Sequence, residues 1–378
     1  MIVTILGWLV LECLLWWFFL YFGSSVALAF AVLMLVVPLT SIPVNLRLCK
    51  RIVAQVEAAV SQRKNAEGII TIRLENPTLL PILKIRCVLM VQNQLNREVQ
   101  TQSVLTHLPP RKTQTSELVV DSRYCGRLRI WISRITLYDC FGLIGIRCKC
   151  DAVTHMTILP DTFEPVVSLI PNPSSSDDSE SYSQERPGFD MTETFQLREY
   201  VPGDSLRQVH WKLTGKLDKL IVRDPGLPIA KNVLVFWERA GETEDPALID
   251  AQAEVVISLC RSLTDNGIQF HVGWNDTDRN LCILHRINNM DEFVAITPRL
   301  LRATGAKDGV SGAGLLLQTR AEALCAHMVY IAQEPQDEVA AMQRYGHVTM
   351  LLCGGALPDG AVYFNAVDYV QQLSEIEI

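Results

Sequence analysis

The chain opens on two apolar runs that leave it few environments to occupy. Ile2 to Phe22 reads IVTILGWLVLECLLWWFFLYF, and after Gly23, Ser24 and Ser25 a second run, VALAFAVLMLVVPLTSIPVNL, ends at Leu46. Each run is 21 residues long. At about 1.5 Å per residue, a helix of that length crosses the roughly 30 Å hydrocarbon core of a bilayer. Glu12 is the one charged side chain in residues 1–46. Lipid offers no partner to backbone polar groups, so both spans must be helical, and the small-residue break suits a tight hairpin. Pro38 and Pro43, late in the second span, predict a kink or an early exit there. A cleaved signal peptide would need basic residues ahead of a short apolar core and polar sequence behind it, a poor match to two consecutive apolar runs. The first basic residues, Arg47, Lys50 and Arg51, then Arg63 and Lys64, follow the second span. The positive-inside rule places that side, and with two spans the N-terminus too, in the cytoplasm. The expectation is a multi-pass cell-membrane protein with two spans and cytoplasmic soluble domains. Glu12 reads either as a functional contact or as a carboxyl kept protonated or paired with a neighbouring helix. Trp8, Trp16, Trp17 and Tyr21 read partly as interfacial anchors.

Behind this front end the composition is that of ordinary soluble domains. The 378 residues are a prior for two or three folding units. The net charge of −7 argues against a general nucleic-acid binder, which would carry a basic excess. Eleven cysteines are irregularly spaced, with no C-x-x-C pair and only Cys148 and Cys150 close together. That pattern lacks metal-ligand spacing and predicts reduced, mostly buried thiols in a cytosolic domain.

Residues 47–67 read as a helical connector rising from the membrane into the first soluble domain. From Gly68 the period changes to two (IITIRLEN, ILKIRCVLMVQ, SELVVDS, RLRIWISRITLYD, THMTILP), which predicts an Ig-like β-sandwich over 68–165. Residues 171–188 form an acidic Ser/Pro linker, either solvated or able to dock a basic partner. From Lys231 strands alternate with helices: NVLVFW, then a long amphipathic helix from PALID, IQFHVGW and LCILHRI, helical DEFVAITPRLL and TRAEALCA, HMVYIAQ, helical DEVAAMQRYG, HVTMLLCG, AVYFN and a closing helix VDYVQQLSEI. This predicts a largely parallel sheet covered on both faces.

The densest polar sequence lies just before that α/β region, from Arg198, Glu199 and Tyr200 through Gly203, Asp204, Arg207, His210, Trp211 and Lys212 to Arg223. Pro202-Gly203 makes a turn, Asp204 stands where an N-cap belongs, and a short helix over 205–215 would put Arg207 and Trp211 on one face. Asp204 and His210 are a conceivable acid–base pair, and a membrane-bound hydrolase using them is the alternative function. No nucleophile motif, metal-ligand spacing or phosphate loop accompanies them. The structural reading is an Asp204 cap, an arginine–carboxylate pair and a Trp211 plug holding a helix on a sheet; the functional reading is a binding surface.

The block TETFQLREYVPGDSLRQVHWKLTGKLDKLIVRD resembles the signature of bacterial proteins carrying domain of unknown function 58. The matching residues are Leu197, Arg198, Glu199, Tyr200, Gly203, Asp204, Arg207, Trp211, Lys212, Leu220, Val222 and Arg223. Gly215-Lys216 stands where that family usually has Ala-Arg. Asp139-Cys140-Phe141-Gly142-Leu143 resembles its D-P-F-G-L turn with Cys140 for Pro, and Ile158-Leu159-Pro160 resembles its V-x-P strand end. The resemblance implies a membrane-anchored protein whose signature block and von Willebrand factor A-like (Rossmann-like) α/β domain fill residues 190–378. It also implies partners: a MoxR-type AAA+ ATPase and a transglutaminase-like membrane protein.

Metal-binding A-like domains need D-x-S-x-S after the first strand, so that a carboxylate and hydroxyls hold Mg²⁺. Here that strand ends Phe236-Trp237-Glu238-Arg239-Ala240-Gly241-Glu242, with neither Ser, and a later one ends Gln333-Glu334-Pro335 without the Thr or Asp. No metal and no cofactor is therefore expected. The sequence reads as a hairpin over 1–46, a β-sandwich and an α/β domain, serving as a non-enzymatic anchored adaptor or assembly factor.

Overall fold

The computed structural model describes residues 2–168, 190–202, 204–217, 219–226, 233–241, 245–306, 308–319, 327–354, 358 and 360–378. The expected linker over 171–188, the turn residue Gly203 and all but the first residue of the expected helix TRAEALCA lie outside them. The chain divides into two compact units. One holds Met1–Arg123 and Arg127–Leu159, and the other holds Tyr124–Gly126 and Pro160–Ile378.

The first unit begins with helices α1 (Ile2–Phe22) and α2 (Ser25–Cys49), both long and apolar enough to span a membrane. Gly23 joins them at φ +60°, a left-handed position that glycine takes without a Cβ clash. Ser24 caps α2 by accepting from the Ala27 N–H. The expected early exit at the prolines does not occur: α2 runs through Pro38 and Pro43 to Cys49. Thr40 Oγ1 donates to the Val36 carbonyl and Ser41 Oγ to that of Pro38, so hydroxyls serve carbonyls in the proline-bearing turns.

Nine strands follow: β1 (Val53–Ala58), β2 (Ser61–Arg63), β3 (Gly68–Glu75), β4 (Ile82–Asn93), β5 (Val99–Leu108), β6 (Thr113–Val120), β7 (Gly126–Tyr138), β8 (Gly145–Cys148) and β9 (Val153–Leu159). They form one sheet in the order β1-β3-β6 and a second in the order β2-β9-β7-β4-β5, with β8 paired to β7. Alternation builds the sandwich: Ile70, Ile72 and Leu74 from β3 meet Ile85, Cys87, Leu89 and Val91 from β4 in one buried core. In β7 the alternation slips between Ile132 and Ile135. A bulge at Ser133 absorbs the extra residue, so Ile130, Ile132, Ile135 and Leu137 all stay buried.

Two expectations fail in this unit. Residues 47–67 are no helical connector: the helix stops at Cys49, and β1 and β2 take the rest. V-A-Q-V-E-A also has period two, and pairing with the edge of β3 packs Ala54, Val56 and Ala58, each half-buried, against the core. That burial outweighs the helix propensity of an Ala-rich segment. Nor are all thiols reduced, since Cys49 and Cys148 are joined by a disulfide.

The second unit contains β10 (Val166–Ser168), β11 (Asp190–Glu199), α3 (Trp211–Leu217), β12 (Ile221–Gly226), β13 (Val233–Trp237), α4 (Pro246–Asp265), β14 (Phe270–Asp276), β15 (Leu281–Ile287), α5 (Met290–Leu300), α6 (Gly312–Thr319), β16 (His327–Ala332), α7 (Val339–Met342), β17 (His347–Leu352), β18 (Val362–Tyr363), α8 (Tyr369–Gln372) and β19 (Glu375–Glu377). Its main sheet runs β15-β14-β13-β16-β17-β18, all parallel except the edge strand β15, which pairs antiparallel to β14. One face, with Leu234, Phe236, Met328 and Tyr330, packs on Ala313 and Leu316 of α6 and Val339 and Met342 of α7. On the other, Trp237 Nε1 donates to Gln252 of α4. The α/β alternation read from the sequence thus folds as a sheet covered on both sides. The closing helix is shorter than expected: it makes one turn, and Glu375–Glu377 instead pairs in parallel with β10.

Candidate functional site on the Arg198 ribbon

The signature block is a two-stranded antiparallel ribbon, β11 against β12, in which Leu197 faces Arg223 and Arg198 faces Val222. Period two puts Gln196, Arg198, Val222 and Asp224 on one side of the ribbon. There the Arg198 guanidinium lies between two carboxylates. Nη1 and Nη2 donate to Asp204 at 2.7 and 2.8 Å, a bidentate pair, while Nε donates to both oxygens of Asp224 at 3.2 and 3.1 Å. Gln196 Nε2 adds a bond to Asp224 at 3.0 Å, and the Val201 N–H donates to Asp204 at 2.8 Å.

The electrostatics follow from these contacts. Asp204 is held down at about 2, first by the Arg198 hydrogen bonds and then by the Val201 amide. Arg198 is pushed higher still, by Asp204 and then by Asp224. A carboxylate with so low a pKa is a poor proton acceptor near neutrality. Asp204 is thus the strap of the Val201–Asp204 turn and not the helix cap expected of it.

His210 takes the capping role. Its Nδ1 accepts from the Leu213 N–H at 3.3 Å, at the start of α3. The continuous helix over 205–215 does not form. A 3-10 turn covers Leu206–Gln208, then Val209 bridges to Val222 and the His210 N–H donates to the Ile221 carbonyl. That bridge breaks the helix, so the shared face expected for Arg207 and Trp211 is lost. Trp211 is no plug either: it is 65% exposed, and α3 has no buried residue at all. The structural acid–base geometry is likewise missing, with Asp204 bound to Arg198 and the His210 Nδ1 lone pair used by Leu213.

The remaining signature residues fall in three places. Glu199 pairs with Lys219 at 2.8 Å on the exposed face. The Tyr200 N–H donates to the Leu220 carbonyl and closes the ribbon end. Arg207 and Lys212 are exposed, and Arg223 Nε is buried without a hydrogen-bond partner among the described residues. The reading from sequence missed Asp224 and Gln196. Their only signal is the alternation with Arg198 across an antiparallel register, which becomes visible once the pairing is known.

A second polar site sits at the C-terminal edge of the main sheet, where β13 has neighbours leaving in opposite directions, the usual ligand crevice of such folds. Glu238 occupies it, buried. Oε1 accepts from the Ala240 and Gly312 amides, both at 3.0 Å, and Oε2 from the Ala313 amide at 2.9 Å and the Tyr330 hydroxyl at 3.3 Å. Burial raises its pKa, and the backbone donors oppose that. Gly312 permits the approach: a Cβ there would stand 2.8 Å from Glu238 Oε1 and 2.7 Å from Asn275 Cγ. The N-terminus of α6 is thereby filled by the chain's own carboxylate.

No family model matches the chain, and no curated protein matches it. Solved structures with partial likeness include the CARDB domain of a Pyrococcus furiosus protein in complex with di-metal ions, at 9% identity over 29% of this chain and 87% of that one, TM-score 0.21. An alkylpurine DNA glycosylase of Pseudomonas fluorescens, bound to DNA with an abasic site analog, matches at 11% identity over 29% and 30%, TM-score 0.20. A beta-glucosidase of Listeria innocua matches at 7% over 28% and 16%, TM-score 0.20. Overlaps this slight carry no argument about fold or activity.

Proposed function

We propose that this chain is a membrane-anchored adaptor or assembly factor without catalysis of its own, presenting its signature block and a von Willebrand factor A-like α/β unit to a cytosolic MoxR-type AAA+ ATPase. The reading takes the helices α1 and α2 as membrane spans and Arg47, Lys50 and Arg51 as the cytoplasmic flank. One observation carries the interaction role: a tryptophan 65% exposed on a helix with no buried residue, set on a ribbon that Arg198 braces through two carboxylates. Leu217 and Leu220, both exposed, and Lys212 and Lys216 lie close to it in the chain. Tryptophan is among the commonest anchors of protein interfaces, and a fixed scaffold lowers the ordering entropy lost on docking.

The test is affinity purification of the full chain from detergent-solubilised membranes, with and without ATP. The expected result is co-purification of an AAA+ ATPase. Trp211→Ala should lower its recovery by about tenfold or more while leaving thermal unfolding unchanged. Reproducible absence of any ATPase, or equal recovery with Trp211→Ala, overturns the reading.

A further inference from the structure

Strand pairing shows which end of the β-sandwich meets the membrane hairpin. Leu48, two residues past the apolar run, is buried in the sandwich core, so no linker separates α2 from the sheets. β1 starts at Val53, four residues after the helix ends at Cys49. Val53 faces Glu75, the last residue of β3, and Glu75 faces Thr113, the first of β6. Ile82 opens β4 opposite Leu108 at the close of β5, and Lys84 faces Tyr138 at the close of β7. The connections 76–81, 109–112 and 139–144 therefore gather at the end of the sandwich where α2 enters.

Two of these connections are braced from inside and carry apolar side chains outward. Buried Asn76 holds the first. Its Nδ2 donates to the Leu80 carbonyl at 2.8 Å and to that of Pro109 at 3.2 Å, and its Oδ1 accepts from the Thr78 N–H and hydroxyl at 3.1 and 2.7 Å. The Arg111 N–H donates to the Thr78 carbonyl at 3.0 Å and ties the neighbouring connection to it. Yet Leu79 and Leu80 are 69% and 50% exposed. Buried Asp139 holds the second by accepting from the Ile144 N–H at 2.8 Å and the Phe141 N–H at 3.4 Å, and Phe141 stands exposed. Loops fixed in this way cannot turn the three side chains inward, so an apolar cover must come from outside. Residues 50–53, 75–81, 109–113 and 139–144 also hold four exposed cations, Lys50, Arg51, Arg111 and Lys112, against one exposed carboxylate, Glu75.

We propose that this end of the sandwich rests on the bilayer that the hairpin spans, with Leu79, Leu80 and Phe141 seated among the lipid headgroups and the four cations on anionic phosphates. The tether argues for lipid as the occupant. The apolar run ends at Leu46 and Leu48 already belongs to the sandwich, which leaves about 3 Å of helix between them and no room for a protein to enter. Charge agrees, since basic groups around an apolar tip match an anionic surface over an acyl layer. The hairpin and the loops then hold the sandwich at several points, so that it sits on the membrane instead of swinging from one helix.

The inference rests on α1 and α2 being membrane spans, and the test separates it from that reading. The full chain is prepared with benzoylphenylalanine in place of Leu79, of Phe141 or of Val60. Each form is reconstituted into vesicles of phosphatidylcholine and phosphatidylglycerol in equal parts and irradiated, and its adducts are identified by mass. Val60 is the control, 86% exposed and beyond the far end of β1, which is about 17 Å along the strand from Val53. Phospholipid adducts at positions 79 and 141 should exceed those at position 60 at least about fivefold. Adducts no commoner than at position 60, or adducts to polypeptide instead of lipid, overturn the proposal. Hydroxyl-radical footprinting of the unaltered chain in the same vesicles needs no variant to fold. Leu79 and Leu80 should be oxidised at least about fivefold more slowly than Val60, and equal rates overturn the proposal. Alkaline carbonate extraction of membranes from expressing cells tests the anchor. Release of the chain overturns the spans and this inference together, while a chain that stays in the membrane without lipid adducts at positions 79 and 141 overturns the inference alone.

Discussion

At the residue scale, Arg198 explains why Asp204 is a brace and not a base. The Asp204 carboxyl sits at about 2 in the fold against 3.8 when unperturbed. The folded value is the lower one, so the stabilisation is complete above 3.8 and is lost as pH falls from 3.8 towards about 2. Asp204→Asn should therefore lower the urea midpoint of the second unit at pH 5, and the gap to the unaltered chain should narrow as the pH drops through that window. Equal midpoints at pH 5 would mean that the strap contributes nothing. Arg198→Lys is not conservative here, because one ammonium cannot span a bidentate pair and a second carboxylate at once.

At the element scale, α4 carries a stripe that no hydropathy pattern predicts. Glu254, Ser258 and Ser262 recur every fourth residue, one turn apart on one face. All are buried. They serve the irregular segment after Pro160: Glu254 accepts from the Asp161 N–H, Ser258 Oγ from the Phe163 N–H, and Ser262 Oγ donates to the Pro165 carbonyl. A loop thus finds on a helix the partners that strand pairing would otherwise supply. Ser258→Ala leaves the Phe163 amide without its partner and should destabilise the unit by about 1–2 kcal/mol. In a differential scanning experiment that is a fall of about 2–8 °C in Tm. No measurable change would mean that the segment is held by other contacts.

At the scale of the whole molecule, the second unit should be sensitive to mild acid. Three of its imidazoles are depressed below the usual 6.5: His271 by burial and then Arg286, His285 by burial and then Arg299, and His327 by burial and then His347, with the Ile378 backbone opposing. In each the folded value is the lower one, so its stabilisation is complete above 6.5 and is lost as pH falls below that value. His327 belongs to the fully buried β16 and dominates, while the other two, less buried, are screened by solvent. The urea midpoint of this unit should start to fall near pH 6.5, well above the Asp204 window, and His327→Gln should flatten that early decline. An unchanged slope in the variant would remove His327 as the cause.

Much of this protein was legible one neighbourhood at a time. Two apolar runs dictate two long apolar helices, and period-two segments dictate the strands of the sandwich. Alternating strand and helix patterns dictate a sheet with helices on both faces. Those readings succeed because each depends on residues within a few positions of one another, where side-chain periodicity acts directly on burial. Even the Arg198 carboxylate pair was foreseeable in kind. Only the tertiary structure decided that Asp224 completes it, that Trp211 points outward, that 53–58 is a strand, and that Cys49 meets Cys148. Each of those outcomes turns on which distant segment arrives alongside, through strand register, an unpaired sheet edge or a contact across 99 residues. Local sequence carries no term for such neighbours, since their energy exists only after the chain has closed on itself.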